Sequence, residues 1–132
     1  DMGSKGEAEA ALMEQWALFG ATGIEAQALA VMNVHSRGAA ATEAGQAEIK
    51  AALSSLSRPL KVLDAHLARP GQIIGSRFTV ADINMAEIVR YVTLEPGALD
   101  PYPAVKAWLS ACQARPAFKA MWAAREGEPL RA

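Results

Sequence analysis

The sequence predicts an all-α fold, a bundle of about five helices, and three observations support this prediction. Alanine, the residue with the highest intrinsic helix propensity, occurs 29 times among 132 residues. No stretch shows the sustained apolar–polar alternation of a half-buried strand, and the one strand-like piece, at 72–74, is too short to form a sheet. Proline and glycine separate apolar-periodic segments at the places where helices begin and end.

The first two helices are predicted from their apolar periodicity. The first covers about residues 7–35, and Gly20 and Gly23 are each expected to weaken it by about 1 kcal/mol and to mark a bend or a close contact. The second covers residues 42–68, with Thr42 as its N-cap and a kink just before Pro59. Its apolar stripe for packing against neighbouring helices consists of Ile49, Leu53, Leu56, Leu60, Leu63 and Leu67.

Three shorter helices are predicted in the second half of the chain. One begins at Thr79 and ends at about Thr93. After a connection rich in proline and glycine, the next two begin at Pro103 and Pro116, because the first helical position does not need a backbone N–H. Gly127 and Pro129 are expected to end the last helix.

Composition limits the kinds of function that this chain can have. Its length suits one domain, which we place at residues 7–132, with residues 1–6 as a linker or a cloning remnant. A formal net charge of −1 argues against nucleic acid or an anionic membrane as a partner. No apolar run approaches the roughly 20 residues of a membrane-spanning helix.

The cysteine and the histidines also carry information. The single cysteine, Cys112, cannot form an internal disulfide, which favours a reducing compartment and a cytoplasmic location. In a helix it is expected to be a small buried hydrophobe. His35 and His66 have no acidic or cysteine companions at ligand spacing, so no metal site is predicted.

The segment Gly75–Ile88 contains a helix start. Thr79 as N-cap and Asp82 three residues later can exchange hydrogen bonds in a capping box, and the carboxylate would lie at the positive end of the helix dipole. Phe78 and Ile83 would form the hydrophobic staple. A catalytic role for Asp82 would require a neighbouring acid, histidine or nucleophile, and the sequence suggests none.

Three motifs in order resemble the C-terminal domain of cytosolic glutathione transferases. "GSRFTVADI" is similar to the capping box and staple that open the central helix of that domain, and "EQWALF", at 14–19, resembles the start of its first helix. "YPAVKAWLSACQARPAFKAM" is similar to the segment that follows the central helix. Together the three matches cover most of residues 12–122.

The resemblance implies a fold and a division of labour. The glutathione site, with the residue that activates the thiol, would belong to an N-terminal thioredoxin-like domain that has no counterpart in these residues. The resemblance therefore implies no catalytic residue and no bound cofactor in this chain. Glutathione would be the cosubstrate of the parent enzyme, and we expect no conjugation by the chain alone.

The same resemblance implies a role for the first helix. In the family this helix lines the site for hydrophobic electrophiles and helps to build the dimer interface. The positions that correspond here are Glu25, Ala28, Leu29 and Met32, which share one helix face. They can instead be bundle core or solvated surface.

Two consequences for association follow from the resemblance. Without its partner domain the chain would expose apolar surface, so we expect a homo-oligomer. The alternative function is a non-catalytic scaffold, because similar domains also serve as assembly modules in translation elongation factor gamma subunits and aminoacyl-tRNA synthetase complexes.

Overall fold

Five helical rods form the fold in residues 1–128, the part of the chain that the computed structural model describes. These residues contain no strand, so the predicted all-α class is confirmed. The rods are α1 (Glu7–Gly20), continued through a π-helical segment (Ala21–Glu25) into α2 (Ala26–Ser36); α3 (Glu43–Leu67); α4 (Val80–Val89), continued by a 3₁₀ segment (Arg90–Leu94); α5 (Pro103–Ala114); and α6 (Pro116–Glu126).

The first rod is one uninterrupted helix of 30 residues. Gly20 is buried where this rod meets α4: a Cβ atom on Gly20 would lie 3.1 Å from Ile88 Cδ1 and 3.2 Å from Met85 Cε. The missing side chain lets the two helices approach each other, so the close contact predicted for this region is found at Gly20. The π-helical segment starts at the next residue.

The sequence predicts the capping and packing of α3 well. The Thr42 side chain accepts a hydrogen bond from the Gly45 N–H at 3.0 Å, and the helix continues through Pro59 to Leu67. A Cβ atom at position 45 would collide with the carbonyl oxygen of Ala39, so the cap requires glycine there. The predicted stripe faces the core, with Ile49, Leu56, Leu60 and Leu63 buried and Leu53 and Leu67 packed against the buried cluster.

The three shorter helices lie where they are predicted. The first of them is α-helical to Val89 and then tightens into the 3₁₀ segment, as helix ends often do. Proline occupies the start of both α5 and α6. Gly127 is the C-cap of α6, whereas Pro129 lies outside the described residues.

A side chain from α3 caps α5. The Asp64 carboxylate accepts hydrogen bonds from the backbone N–H groups of Ala104 at 2.8 Å and Val105 at 3.0 Å. The N-cap residue itself, Tyr102, provides no side-chain hydrogen bond. The start of α5 is therefore fixed by a residue 40 positions earlier in the chain.

One hydrophobic cluster joins every rod except α6. The first rod packs against α3 and α4, α5 packs against α3 and α4, and α6 packs against α5. No residue of α6 is buried, so this helix lies at the edge of the bundle.

By length and composition alone, the first rod is long and apolar enough to cross a membrane, although the sequence contains no unbroken apolar run of that length. A core helix of a bundle passes the same test. Trp16, Ile24 and Ala28 of this rod belong to the hydrophobic cluster, although only 28% of its most apolar window is buried.

Candidate functional site

Thr79 and Asp82 form a capping box at the start of α4. The Thr79 N–H donates to Asp82 Oδ2 at 2.9 Å, and the Thr79 hydroxyl accepts from the Ala81 N–H at 3.3 Å. Both Thr79 and Asp82 are fully buried. The pair satisfies backbone donors of the first turn and holds a carboxylate at the positive end of the helix.

Asp82 also connects two other parts of the bundle. Its Oδ1 accepts from the Ile73 N–H at 3.1 Å and from the Trp108 indole N–H at 3.0 Å, and its Oδ2 also accepts from the Thr79 hydroxyl at 3.2 Å. Since the residue is inaccessible and all four donors come from the chain itself, its role is structural. Sequence reasoning missed the Trp108 bond, for which the only signal is that a buried indole N–H needs an acceptor.

Phe78 and Ile83, the predicted staple residues, line a common cavity of about 330 Å³, which we call the α4–α6 cavity. The Arg115 guanidinium lies over the Phe78 ring, 3.8 Å from its centroid. Ile83 is 37% exposed and is open to this cavity, whereas Phe78 is half-buried and also packs against the hydrophobic cluster. The cavity is lined by Met2, Phe78, Ile83, Ala86, Glu87, Cys112, Arg115, Ala117, Phe118 and Met121.

Residues 1–6 contact the start of α4. The Met2 carbonyl accepts from the Val80 N–H at 3.1 Å, and the Met2 side chain lines the α4–α6 cavity. Arg77 donates to the Glu9 carboxylate at 2.6 Å. Hydrogen bonds from the Lys5 N–H and from Arg77 hold the pKa of Glu9 below its ordinary value. The segment before α1 is therefore joined to the loop before α4.

The four predicted wall residues differ in exposure. Ala28 is fully buried in the hydrophobic cluster, whereas Glu25, Leu29 and Met32 are half-buried. None of the four lines the cavities described here. The three half-buried residues therefore keep part of their surface open to solvent, whereas Ala28 belongs to the core.

Glu25 is the last residue of the π-helical segment, a type of helix distortion that is frequent at functional sites. Within residues 1–128 its carboxylate belongs to none of the five ion pairs. The candidate wall thus combines apolar side chains with one acidic group that has no cationic partner in this part of the chain.

Cys112 is buried, as its sequence context predicts. Burial, followed by the negative charge of Asp82, raises the pKa of this thiol to about 12. The thiol therefore keeps its proton near neutral pH, and Cys112 is a poor nucleophile although it lines the α4–α6 cavity.

The two histidines serve separate contacts. His35 Nε2 lies 3.0 Å from Glu95 Oε2. His66 Nε2 must donate to the Ile73 carbonyl, 2.9 Å away, because a carbonyl only accepts. The centroid of the His66 ring lies 4.4 Å from that of the Trp16 ring. In residues 1–128 no group of three or more His, Cys, Asp or Glu side chains could hold a metal ion.

A partly exposed surface with apolar and polar residues lies between α1 and α3, where Gln15 and Arg69 border half-buried Phe19. Phe19, Val62 and Ala65 line a shallow cavity there, together with Trp16 and His66, and Val62 is 48% exposed. We call Phe19, Val62 and Ala65 the α1–α3 patch. Contiguous exposed apolar patches of several hundred Å² mark surfaces for association, and the two exposed members here, Val62 and Ala65, would form part of such a surface only together with their neighbours.

The fold is a helical bundle with a buried structural carboxylate at the start of α4. The family model of the glutathione S-transferase C-terminal domain matches residues 11–116, and the chain belongs to this family.

Similar proteins fall into two groups. The chain is 42% identical over 67 residues to glutathione S-transferase 3 of Zea mays, a match that covers 48% of this chain and 30% of the maize protein. It is 34% identical over 84 residues to elongation factor 1-gamma of Carassius auratus, a match that covers 61% of this chain and 17% of that protein. The matches therefore cover less than a third of either relative.

Solved structures extend the similarity to nearly the whole chain. The apo structure of glutathione S-transferase III matches with a TM-score of 0.75 and 32% identity, covering 92% of this chain and 58% of the other. A glutathione transferase family member from Pseudomonas fluorescens, solved with two glutathione molecules bound, matches with a TM-score of 0.74 and 27% identity, covering 91% of this chain and 55% of the other. The chain thus spans little more than half the length of these proteins.

Proposed function

We propose that this chain is the C-terminal substrate-binding and dimerisation domain of a glutathione transferase-like enzyme. In the parent, an N-terminal thioredoxin-like domain binds glutathione as cosubstrate and activates its thiol. The observation that carries the proposal is the match to glutathione S-transferase III over 92% of the chain, at 32% identity. The chain itself provides binding and association but no thiolate.

Leu29 and Met32 form the apolar wall for the electrophile in this proposal. Both are half-buried, so a bound molecule can reach them and still remove apolar surface from water. Met32 adapts to ligands of different shape, because its side chain is flexible and polarisable. Glu25 lies at the rim, and Ala28 supports the wall from the core.

The thioredoxin-like domain docks on the α4–α6 cavity in this proposal. Ile83 is 37% exposed and Met121 44% exposed, and both line a cavity whose surface is mostly apolar. Apolar side chains of the partner domain would fill this space of about 330 Å³. A parent enzyme of this kind would work in the cytoplasm.

A chimaera tests the enzymatic proposal. The chain is fused behind the N-terminal domain of the maize enzyme, and conjugation of glutathione to 1-chloro-2,4-dinitrobenzene is measured. We expect turnover by the chimaera and none by the chain alone. Met32→Ala should raise KM for the aromatic halide several-fold and leave KM for glutathione unchanged, because the wall contacts only the electrophile.

Leu12→Ala is the matched control. Leu12 is also apolar and on the first rod, but it is 46% exposed and lies far along the helix from the wall. It should leave both KM values unchanged. Robust turnover by the chain alone, or equal KM values for Met32→Ala and the unmodified chimaera, would overturn the proposal.

A second candidate function is a non-catalytic scaffold for protein assembly. The 34% identity to elongation factor 1-gamma over 84 residues favours it. In that case a folded chimaera would not conjugate glutathione to the aromatic halide, so the same experiment separates the two functions.

A further inference from the structure

Residues 1–3, where the chain enters the bundle, are held by an arginine from the loop before α4. The Arg77 guanidinium donates to the Gly3 carbonyl at 2.7 Å and to the Asp1 carbonyl at 3.3 Å. The same group donates to the Glu9 carboxylate of α1 at 2.6 Å. A planar guanidinium can serve several acceptors at once, because its donors point in fixed directions. We call this set of contacts the Arg77 clasp.

Met2 attaches the same segment to the start of α4. The Val80 N–H belongs to the first turn of α4, where backbone donors have no partner within the helix, and it donates to the Met2 carbonyl at 3.1 Å. The Met2 side chain lines the α4–α6 cavity together with Phe78 and Ile83. Since both the main chain and the side chain of Met2 are engaged, the chain enters the bundle in one fixed direction.

The ion pair of the clasp is partly sheltered from solvent. The Arg77 and Glu9 side chains are only 24% and 19% exposed. Hydrogen bonds from the Lys5 N–H and from Arg77 hold the pKa of Glu9 below its ordinary value, so this carboxylate is charged at neutral pH. Hydrogen bonds between charged groups are stronger than neutral ones, which favours a single arrangement of the segment.

The clasp lies next to the surface on which the preceding domain docks in the proposed function, because Met2 lines the same cavity. We propose that Arg77 is a positioning residue of the parent enzyme. By holding residues 1–3 against the start of α4, it fixes the orientation of the thioredoxin-like domain that comes before them. This inference rests on the proposed function, in which the two domains bind the glutathione thiol and the electrophile separately. Small misplacements of reacting atoms lower a rate strongly, so the rate depends on this orientation.

Distance measurements by electron paramagnetic resonance in the chimaera test the orientation without catalysis. One nitroxide label is attached at Lys106→Cys on α5, where the lysine is 60% exposed, and the other to a cysteine introduced on the surface of the maize domain. Cys112 is buried and does not compete for the label. Dilution with unlabelled chimaera makes distances within one chain dominate. We expect Arg77→Ala to broaden the distance distribution about twofold, because a segment that is not held behaves as a flexible linker.

The kinetics of the same variants separate positioning from binding. Arg77→Ala should lower kcat about tenfold and leave KM for glutathione unchanged, because the glutathione site lies in the other domain. Arg77→Lys keeps the charge opposite Glu9 but not the planar fork, so it should restore part of the rate. Thermal unfolding checks that the variants fold.

Arg37→Ala is the matched control. Arg37 forms an ion pair of the same length, 2.6 Å, with Glu48, but this pair joins the end of α2 to α3. The substitution should change neither the distance distribution nor kcat.

Equal distance distributions for Arg77→Ala and Arg37→Ala would overturn the proposal, and so would a rise in KM for glutathione in place of a fall in kcat. A chimaera without turnover would contradict the proposed function alone, since the distance measurements would still show whether Arg77 orients the two domains.

Discussion

Asp82 accepts hydrogen bonds from donors in the loop before α4, in α4's own cap and in α5. Asn is the same size but keeps only one acceptor oxygen. In either orientation its amide N–H₂ would face donors that the carboxylate now binds, at Thr79 on one side or at Ile73 and Trp108 on the other. The substitution therefore leaves buried donors without partners.

We predict that Asp82→Asn lowers the free energy of unfolding by roughly 2–4 kcal/mol, since hydrogen bonds to a buried charge are expensive to lose. Urea denaturation measures the change. The control is Asp100→Asn, because the Asp100 side chain is 63% exposed and its ion pair with Lys106 should contribute less than about 1 kcal/mol. Equal losses for the two variants would contradict the structural role of Asp82.

Cys112 makes stability depend on pH in the alkaline range. Its pKa rises from 9.0 to about 12 on folding, so below pH 9 both states keep the proton and the thiol has no effect on pH dependence. Above pH 9 the thiol ionises in the unfolded chain but stays protonated in the folded one. The free energy of unfolding therefore falls by about 1.4 kcal/mol per pH unit until the native thiol also ionises.

Between pH 8 and pH 10, the unmodified chain should therefore lose about 1 kcal/mol of unfolding free energy relative to Cys112→Ala. Denaturation of both proteins at each pH measures it. A difference that stays constant over this range would mean that the thiol ionises equally in both states.

At the scale of elements, Gly20 and Gly23 appear equivalent in the sequence, but the fold separates them. A Cβ at Gly20 would lie 3.1 Å from Ile88 and 3.2 Å from Met85, whereas a Cβ at Gly23 would lie 3.7 Å from Pro59, an ordinary contact. Where space allows, replacing a helical glycine with alanine raises the free energy of unfolding by about 1 kcal/mol, because alanine loses less backbone entropy on folding. Only position 23 offers that space.

Gly23→Ala should raise stability by about 0.5–1 kcal/mol, and Gly20→Ala should leave the chain about 1–2 kcal/mol less stable than Gly23→Ala, because buried Met85 must move. Thermal unfolding of the two variants side by side measures the difference. Each variant is the other's control, and equal stabilities would show that α1 and α4 do not meet as closely as Gly20 implies.

Local sequence predicts those features of the elements that depend on near neighbours. The Thr42 and Thr79 caps, the prolines that begin α5 and α6, and the α3 stripe all depend on residues within a few turns, and their positions could be predicted. The Asp64 cap on α5 could not, because its partners are 40 residues away. The requirement for glycine at position 45 also depends on how the chain folds back before α3.

The candidate wall could be predicted only in part. Helical spacing places Glu25, Ala28, Leu29 and Met32 on one face and does not distinguish among them. In the fold, however, Ala28 is completely buried. Burial depends on the packing of the whole bundle, which periodicity within a single helix does not specify. That these residues bind an electrophile remains a prediction from the family.

At the scale of the whole molecule, the α1–α3 patch is the surface that we expect to join two copies. In a symmetric dimer every substitution occurs twice in the interface, so a single charged residue has a large effect. Val62 is 48% exposed and can therefore accept a charge in the monomer without loss of the fold. Buried against a second copy, the same charge would lack a partner.

We predict that the unmodified chain is a dimer in sedimentation equilibrium and that Val62→Glu is a monomer with nearly unchanged thermal stability. Leu94→Glu is the matched control, because Leu94 is an apolar residue of similar exposure, 44%, on the 3₁₀ segment and outside the patch. This variant should remain a dimer. A monomeric unmodified chain would contradict association itself, whereas a Val62→Glu dimer would mean that two copies meet on another face, with the α4–α6 cavity as the next surface to test.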